Sequence, residues 1–439
     1  MEPIDDVLCR LQHYRLSFAY PSSLTEKNIY DLFPLHQVLA QYQEVGKHFM
    51  DERTLAELKT INLIFDGYNG KQFNTGILHC FLKMSLDKYS GYYDYNTYIG
   101  TSLLNNISID FSLSFNEIVS MRISHLILFL CDIALFECRT FLGEDQRLPD
   151  QLTSPQNREK RILNIVRAIQ KYGDVTDHPI LTDEIDRYGK SFLQDGDKID
   201  VFRLLSLVHM LDGLIKQMPT YMQTICAITM EPVWTVHDEY MFIRILQCFE
   251  IIFSIIVKGF LTCQGLIQQG DFKRCSSIMR KLNLIFQCNS ALFRILNSMP
   301  RETFALFRTY TDGASAIQSE QYKLIEALAA RPSPSRLYSA AFASVPGVKR
   351  TYEQGELLHF EDLLQSYADW ENADFLELIQ SMGQFDASFV QWKKVHTNIA
   401  VKMLGSQLGT GYTQGTPYLK ANADARLFPF LQQWEGRSP

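Results

Sequence analysis

The amino-acid sequence predicts an all-α protein. Apolar residues recur three and four positions apart over long stretches, which is the spacing of one helix face, and the alternation typical of β-strands is rare. Four stretches carry the helical spacing: Asp200–Met218, Tyr240–Gln269, Phe272–Met299 and Asp386–Leu404. Polar and proline-containing segments near residues 148–155, 174–182 and 331–335 interrupt this pattern and predict loops.

Composition and charge exclude several classes of protein. The chain has 439 residues, of which 46% are hydrophobic and 21% charged, so we expect a large folded core. The net charge of −7 argues against nucleic acid as a partner, because phosphate binding requires a basic surface. Nine cysteines without a Cys-x-x-Cys pair indicate reduced thiols in a cytoplasmic protein, not disulfides or a zinc site.

The sequence also argues against a membrane partner. Residues 1–6 are acidic and lack the apolar region of a signal peptide. The most apolar stretch, residues 123–141, contains four ionisable residues: His125, Asp132, Glu137 and Arg139. Charged side chains are costly in the centre of a bilayer, so this stretch is predicted to be a buried helix.

Residues 389–403 are the most informative part of the sequence. Phe389, Trp392, His396, Ile399 and Met403 fall on one helix face, and His396 is the only polar group in the middle of it. An imidazole in such a position is either a hydrogen-bonded core histidine or an axial ligand of haem iron. A glycine-hinged loop follows from residue 405.

Three blocks of sequence carry a resemblance to a known family. Residues 237–243 read His-Asp-Glu-Tyr-Met-Phe-Ile, residues 304–310 read Phe-Ala-Leu-Phe-Arg-Thr-Tyr, and residues 392–411 contain Trp-Lys-Lys-Val-His, Met-Leu-Gly and Gly-Thr-Gly. These blocks are similar, in the same order, to His-Asp-Glu-His-Leu-Phe-Ile, Phe-x-x-Phe-Arg-x-Tyr and Trp-Arg-Tyr-x-His…Gly-Thr-Gly of the tryptophan 2,3-dioxygenase family. The resemblance covers the region from about Val233 to about Trp434.

The resemblance implies a helical haem-binding domain in residues 187–439. His396 would be the axial ligand of the iron of haem b. Four further residues that match the family, or adjoin a match, would contact the cofactor: Ser315, Trp392, Gly409 and Gly411.

The same resemblance implies a clamp for an α-amino acid. Arg308 would bind the substrate carboxylate, Thr410 would contact the amino group, and Phe242 and Phe304 would form an apolar slot for an aromatic side chain. The residues alone leave two alternatives open. Arg308 could form an internal ion pair, and the phenylalanines could be ordinary core residues.

The chain departs from the family at several positions. The family has a histidine four residues after the position of Phe242, and this chain has Leu246, which can neither accept a proton nor donate one. The loop after His396 carries the bulkier Tyr412, Thr413 and Gln414 in place of small residues. The segment between Glu326 and Asp386 is shorter than in typical members.

We therefore expect a haem-dependent oxygenase that adds dioxygen to the ring of an aromatic amino acid, tryptophan or a derivative. Leu246 keeps open a specialised member of the superfamily in secondary metabolism, which would insert one oxygen atom or rearrange the ring. A non-catalytic haem or amino-acid binder is the alternative from another class. The sequence leaves open whether the protein forms a homo-oligomer.

Residues 1–186 do not resemble the family and are predicted to form an N-terminal helical extension. Tyrosines are dense at residues 89–98, and we favour a segment that packs on the core over one that lines a pocket. We assign no chemistry to this half. In the family the N-terminal part of one subunit covers the active site of a neighbour, and the extension here could do the same within one chain.

Overall fold

The structure, a computed structural model, describes residues 4–18, 26–68, 76–105, 113–143, 153–176, 178, 183–194, 199–405, 409 and 415–434. These residues form helices and no β-strand, which confirms the all-α prediction. Three short 3₁₀ helices lie at Lys47–Phe49, Ala316–Gln318 and Pro429–Trp434.

The α-helices are α1 (Ile4–Ser17), α2 (Glu26–Leu32), α3 (Leu35–Val45), α4 (Glu52–Tyr68), α5 (Gly76–Ser85), α6 (Asp87–Ser90), α7 (Tyr95–Tyr98), α8 (Thr101–Asn105), α9 (Phe115–Phe141), α10 (Pro155–Thr176), α11 (Asp183–Gln194), α12 (Val201–Gln217), α13 (Thr220–Ile228), α14 (His237–Gln268), α15 (Phe272–Gln287), α16 (Asn289–Leu296), α17 (Arg301–Arg308), α18 (Glu320–Ala329), α19 (Pro334–Leu337), α20 (Ala340–Ala343), α21 (Pro346–Glu353), α22 (Phe360–Ser366), α23 (Ala373–Leu404) and α24 (Thr416–Asn422).

Two of the four predicted helical stretches differ from the observed helices. The stretch Phe272–Met299 divides into α15 and α16, because the Cys288 N–H bonds to the carbonyl of Ile285, three residues back, and tightens the chain there. The helix predicted from Asp386 begins at Ala373. Asn372 caps it by accepting hydrogen bonds from the N–H groups of Asp374 and Phe375.

Helix α14 runs through the main hydrophobic core and packs against α9, α15 and α18. Both α14 and α9 are long and apolar enough to cross a membrane by composition, but 78% of each apolar window is buried inside the protein. A helix that is apolar on all sides belongs either in a protein core or in a bilayer. The burial confirms that the stretch containing Ile123–Phe141 is a core helix.

The N-terminal helices form a second, smaller core. Its buried residues run from Val7 in α1 to Leu103 in α8, and Ile228 from α13 joins them. Helices α9 and α10 pack in the main core together with α14 and α16. The division of the chain into residues 1–186 and 187–439 stays a prediction.

A buried cation attaches the N-terminal core to the rest of the protein. The Lys47 Nζ donates to the carbonyl of Met84 at 2.7 Å and to Asp87 Oδ2 at 2.9 Å, and it lies 3.5 Å from Glu231 Oε2. The side chains of Lys47, Asp87 and Glu231 are at most 1% exposed. Ser85 also donates to Glu231, so the carboxylate that follows α13 is bound to the N-terminal region twice.

A glycine lies at each end of the segment that joins α23, the helix that carries His396, to α24. Helix α23 ends at Gly405, whose φ is +59°, and α24 begins after Gly415, whose φ is +69°. A Cβ at residue 405 would also lie 2.9 Å from the guanidinium of Arg301. Only glycine adopts these backbone angles readily, so both ends of the predicted glycine-hinged loop are fixed by sequence.

We predict that Lys47→Met destabilises the protein by about 3–5 kcal/mol, because it leaves two buried carboxylates without their cation. The measurement is the free energy of unfolding in urea. Arg53→Met is the matched control, since it removes an exposed ion pair with Asp5 and should change stability by less than about 0.5 kcal/mol. Equal effects of the two substitutions would contradict the structural role of Lys47.

Candidate functional site

A cavity of about 800 Å³ lies between α14, α17, α18, α23 and α24. Its wall includes eight of the residues singled out in the sequence: Phe242, Leu246, Phe304, Arg308, Ser315, Trp392, His396 and Gly409. Thr410 and Gly411 lie outside the described residues. Residues from three separate sequence blocks thus meet at one cavity, whose size is that of a typical cofactor or ligand site.

His396 lies on the aromatic side of this cavity. Its ring stacks on that of Trp392, with 5.4 Å between the ring centroids and 18° between the ring planes. It also stacks on Phe293, with a centroid distance of 6.3 Å and an angle of 20°. The imidazole is partly accessible from the cavity, but the surrounding protein desolvates it and lowers its pKa to about 4. It is therefore neutral at physiological pH, the form in which histidine binds metals.

Trp392 contributes a second polar atom to this side of the cavity. Its indole N–H is buried and has no acceptor among the residues that the structure describes. Buried donors without a partner are uncommon in native proteins and call for an explanation.

Arg308, Phe242 and Phe304 form another part of the wall. Arg308 is the last residue of α17 and is half-buried, and its burial lowers the pKa of the guanidinium while the nearby Asp312 raises it. Phe242 from α14 lies 5.7 Å from Phe304 and 5.3 Å from Phe307, measured between ring centroids. An arginine that reaches a cavity beside aromatic rings can bind the carboxylate of an aromatic ligand.

Ser315 and Leu246 complete the predicted set. Ser315 caps the 3₁₀ helix Ala316–Gln318, and its N–H donates to Gln318 Oε1 at 2.9 Å. Leu246 is half-buried and packs against a cluster of apolar and tyrosine residues that includes Tyr95 and Tyr98. The wall at Leu246 is therefore apolar at the position where the sequence comparison expects a histidine.

Comparisons with known proteins give the same family as the resemblance found in the sequence. The sequence model of the family described as tryptophan 2,3-dioxygenase matches residues 218–359. Curated tryptophan 2,3-dioxygenases are similar over nearly half of the chain. The enzyme of Ruegeria pomeroyi is 23% identical over 243 residues, which cover 47% of this chain and 87% of the relative. The enzyme of Bradyrhizobium diazoefficiens is 24% identical over 242 residues, which cover 47% of this chain and 86% of the relative. The enzyme of Herpetosiphon aurantiacus is 25% identical over 226 residues, which cover 44% of this chain and 86% of the relative.

The chain is similar to the tryptophan 2,3-dioxygenase family over about the length of these relatives, at the low identity of a divergent sequence. The family match includes Phe242, Leu246, Phe304, Arg308 and Ser315 and ends before the helix that carries His396. The cavity therefore joins residues inside the matched segment to residues outside it.

The tyrosine-rich segment reaches the cavity, which differs from the prediction made from the sequence. Tyr95 and Tyr98 of α7 line the cavity, whereas we expected this segment to pack on the core without reaching a pocket. Their register is fixed by hydrogen bonds: the Tyr95 N–H donates to Gln318 Oε1 at 3.0 Å, and both hydroxyls donate to glutamates of α14. The N-terminal half thus covers part of the site within one chain.

A partly buried basic network at the cavity wall was also not predicted. Arg336 donates to both carboxylate oxygens of Glu326 at 2.7 Å and to the hydroxyl of Tyr418 at 2.7 Å. Lys323 lies 3.1 Å from the same carboxylate and is only 2% exposed. Two cations share one carboxylate, so this wall carries a net positive charge. The spacing of Lys323 and Glu326 on one helix was a signal for the ion pair, but nothing local indicated Arg336.

Proposed function

We propose that the protein is a haem-dependent oxygenase that adds dioxygen to the ring of an aromatic amino acid, tryptophan or a derivative. The observation that carries this proposal is that neutral His396, Arg308 and the Phe242–Phe304 pair share the wall of one cavity. The similarity to tryptophan 2,3-dioxygenases supports the same class of reaction.

The residues of the cavity fit a haem. His396 would bind the iron through a ring nitrogen, and its low pKa means that protons do not compete with the metal near neutral pH. The net positive charge of the wall formed by Lys323, Glu326 and Arg336 is complementary to the carboxylates that haem b carries. When bound, the haem would supply the activation of dioxygen.

The remaining residues would bind and orient the substrate. Arg308 would hold the substrate carboxylate through two parallel hydrogen bonds, which fixes its orientation as well as its charge. Phe242 and Phe304 would pack against the aromatic ring. Thr410, which is outside the described residues, is proposed on the sequence resemblance to contact the amino group.

Leu246 bears on the type of reaction. Addition of dioxygen to an electron-rich ring need not begin with removal of a proton, so an apolar side chain at this position is compatible with dioxygenation. The same residue is the reason to keep a second candidate, a specialised member of the family that inserts one oxygen atom or rearranges the ring. Arg308 argues against a non-catalytic haem carrier, since such a protein has no need of a carboxylate-binding group at the cavity.

We predict that His396→Ala weakens or abolishes the Soret band of the haem-reconstituted protein, because the iron loses its axial ligand. Added imidazole should restore the band in this variant. His209→Ala, which removes an exposed histidine on α12, should leave the spectrum unchanged. An unaltered Soret band and spin state in His396→Ala would mean that another residue binds the iron.

Arg308→Ala is expected to leave haem content nearly intact and to weaken the binding of aromatic amino acids by about 2–5 kcal/mol, because the carboxylate loses a charged partner. The measurement is a titration of the substrate-induced Soret shift. Thr410→Val should have the same effect more mildly. Tryptamine, which lacks the carboxylate, is the control ligand: its affinity should be the same in wild type and Arg308→Ala. Equal binding of tryptophan by both proteins would make Arg308 a structural residue.

Turnover of the ferrous protein under isotopically labelled dioxygen tests the reaction itself. We expect both oxygen atoms in a ring-cleaved product, with no external reductant, when tryptophan, substituted tryptophans and tyrosine are compared by mass spectrometry. A product with one labelled oxygen atom would reject dioxygenation in favour of the monooxygenase candidate.

A further inference from the structure

Two tyrosines of α7 each donate a hydrogen bond to a buried glutamate of α14. Tyr95 donates to Glu250 Oε1 at 3.0 Å, and Tyr98 donates to Glu239 Oε1 at 3.1 Å. Leu246 lies between the two glutamates in sequence. Because an α-helix rises about 1.5 Å per residue, Glu250 is about 6 Å along the axis from Leu246 and Glu239 about 10 Å. Glu250 is also four residues after Leu246, so the two share a helix face.

The two carboxyl groups differ in what surrounds them. Glu239 also accepts hydrogen bonds from the backbone N–H groups of Val233 and Trp234, which cannot reverse direction. The partners of Glu250 are the hydroxyls of Tyr95 and Ser319. A hydroxyl can donate or accept. The two backbone donors therefore keep Glu239 an acceptor, whereas the hydrogen bonds from Tyr95 and Ser319 to Glu250 can both change direction.

Glu250 changes its charge near neutral pH. The side chain is buried, and desolvation raises its pKa to about 7, with a further contribution from the nearby Glu320 of α18. The groups that face it are Tyr95 from α7 and Ser319 and Glu320 from the start of α18. Burial and the Glu250 charge raise the pKa of Tyr95 well above its usual value, so the phenol keeps its proton.

The protonation of Glu250 decides where the Tyr95 proton points. When Glu250 is ionised, the Tyr95 hydroxyl donates to the carboxylate. When Glu250 is protonated, its own O–H can donate to the Tyr95 oxygen, and the Tyr95 proton becomes free to turn to another acceptor. Both Tyr95 and Ser319 lie on the cavity wall, so that acceptor can belong to a bound ligand.

We propose that Tyr95, positioned by Glu250, is the hydrogen-bond donor of the cavity wall beside Leu246. It supplies, from the N-terminal half, the donor that a leucine cannot offer. The ligand would be a small molecule with an acceptor atom bound against Leu246. The inference rests on the proposed function, and Glu250 acts in it as a positioning residue.

Carbon monoxide bound to the ferrous haem-loaded protein is the probe. A hydrogen bond to its oxygen lowers the C–O stretching frequency, since the polarity of this pocket acts on the bound molecule. Infrared spectra are recorded from pH 5.5 to pH 8.5. In wild type the frequency should fall as the pH decreases through about 7, the pKa of Glu250, because the protonated form frees the Tyr95 hydroxyl.

Three variants separate the roles. Tyr95→Phe should abolish the pH dependence and keep the high frequency. Glu250→Gln should also abolish the pH dependence, but the C–O frequency should stay low at every pH. The reason is that the amide N–H always donates to Tyr95 and leaves the Tyr95 hydroxyl free. Tyr98→Phe, which removes the neighbouring hydroxyl paired with Glu239, should titrate as wild type does.

A C–O frequency that does not depend on pH in wild type, or a titration that persists in Tyr95→Phe, would overturn this inference but not the proposed function.

A second measurement needs no haem. The carboxylic-acid C=O band of Glu250 should appear as the pH falls through about 7, vanish in Glu250→Gln and shift in Tyr95→Phe. Its absence from wild type would also overturn the inference. A protein that binds no haem would instead overturn the proposed function, and this inference with it.

Discussion

Helix α14 buries charged and polar side chains in a core that is otherwise apolar, and each of them needs a partner. Arg244 bonds to Asp132 of α9, and Gln247 donates to the carbonyls of Ile99 and Thr229. Glu239 and Glu250 accept from tyrosines of the N-terminal half. The need to satisfy these buried groups holds the N-terminal short helices against α14, so the cavity has a wall on that side.

The cavity has two chemically different parts. Stacked aromatic rings hold His396 in a desolvated, neutral form, and Lys323 and Arg336 share a single carboxylate elsewhere on the wall. A flat apolar molecule that carries acidic groups fits both parts. This complementarity, together with Arg308, is the physical basis of the proposal that one site binds a haem and an amino acid.

Leu246 differs from the histidine expected at this position from the sequence resemblance. A leucine preserves the packing of α14 against Tyr95 and Tyr98 but removes a titratable group from the wall. The polar atoms nearest in sequence on that helix face belong to Glu250, which reaches the cavity only through Tyr95 and Ser319. The proposed hydrogen-bond donor beside Leu246 thus depends on residues that are distant from one another in the sequence.

The sequence by itself determined the helical class, the buried nature of α9 and the face that carries His396, because these depend on spacing within one segment. It also selected Arg308, Phe242 and Phe304, through a resemblance to relatives. Only the tertiary structure decided that Tyr95 lies on the cavity wall and that Arg336 joins Lys323. Tyr95 and Glu250 are 155 residues apart, and their contact follows from the pairing of buried polar groups between distant helices, which leaves no periodic pattern in the sequence.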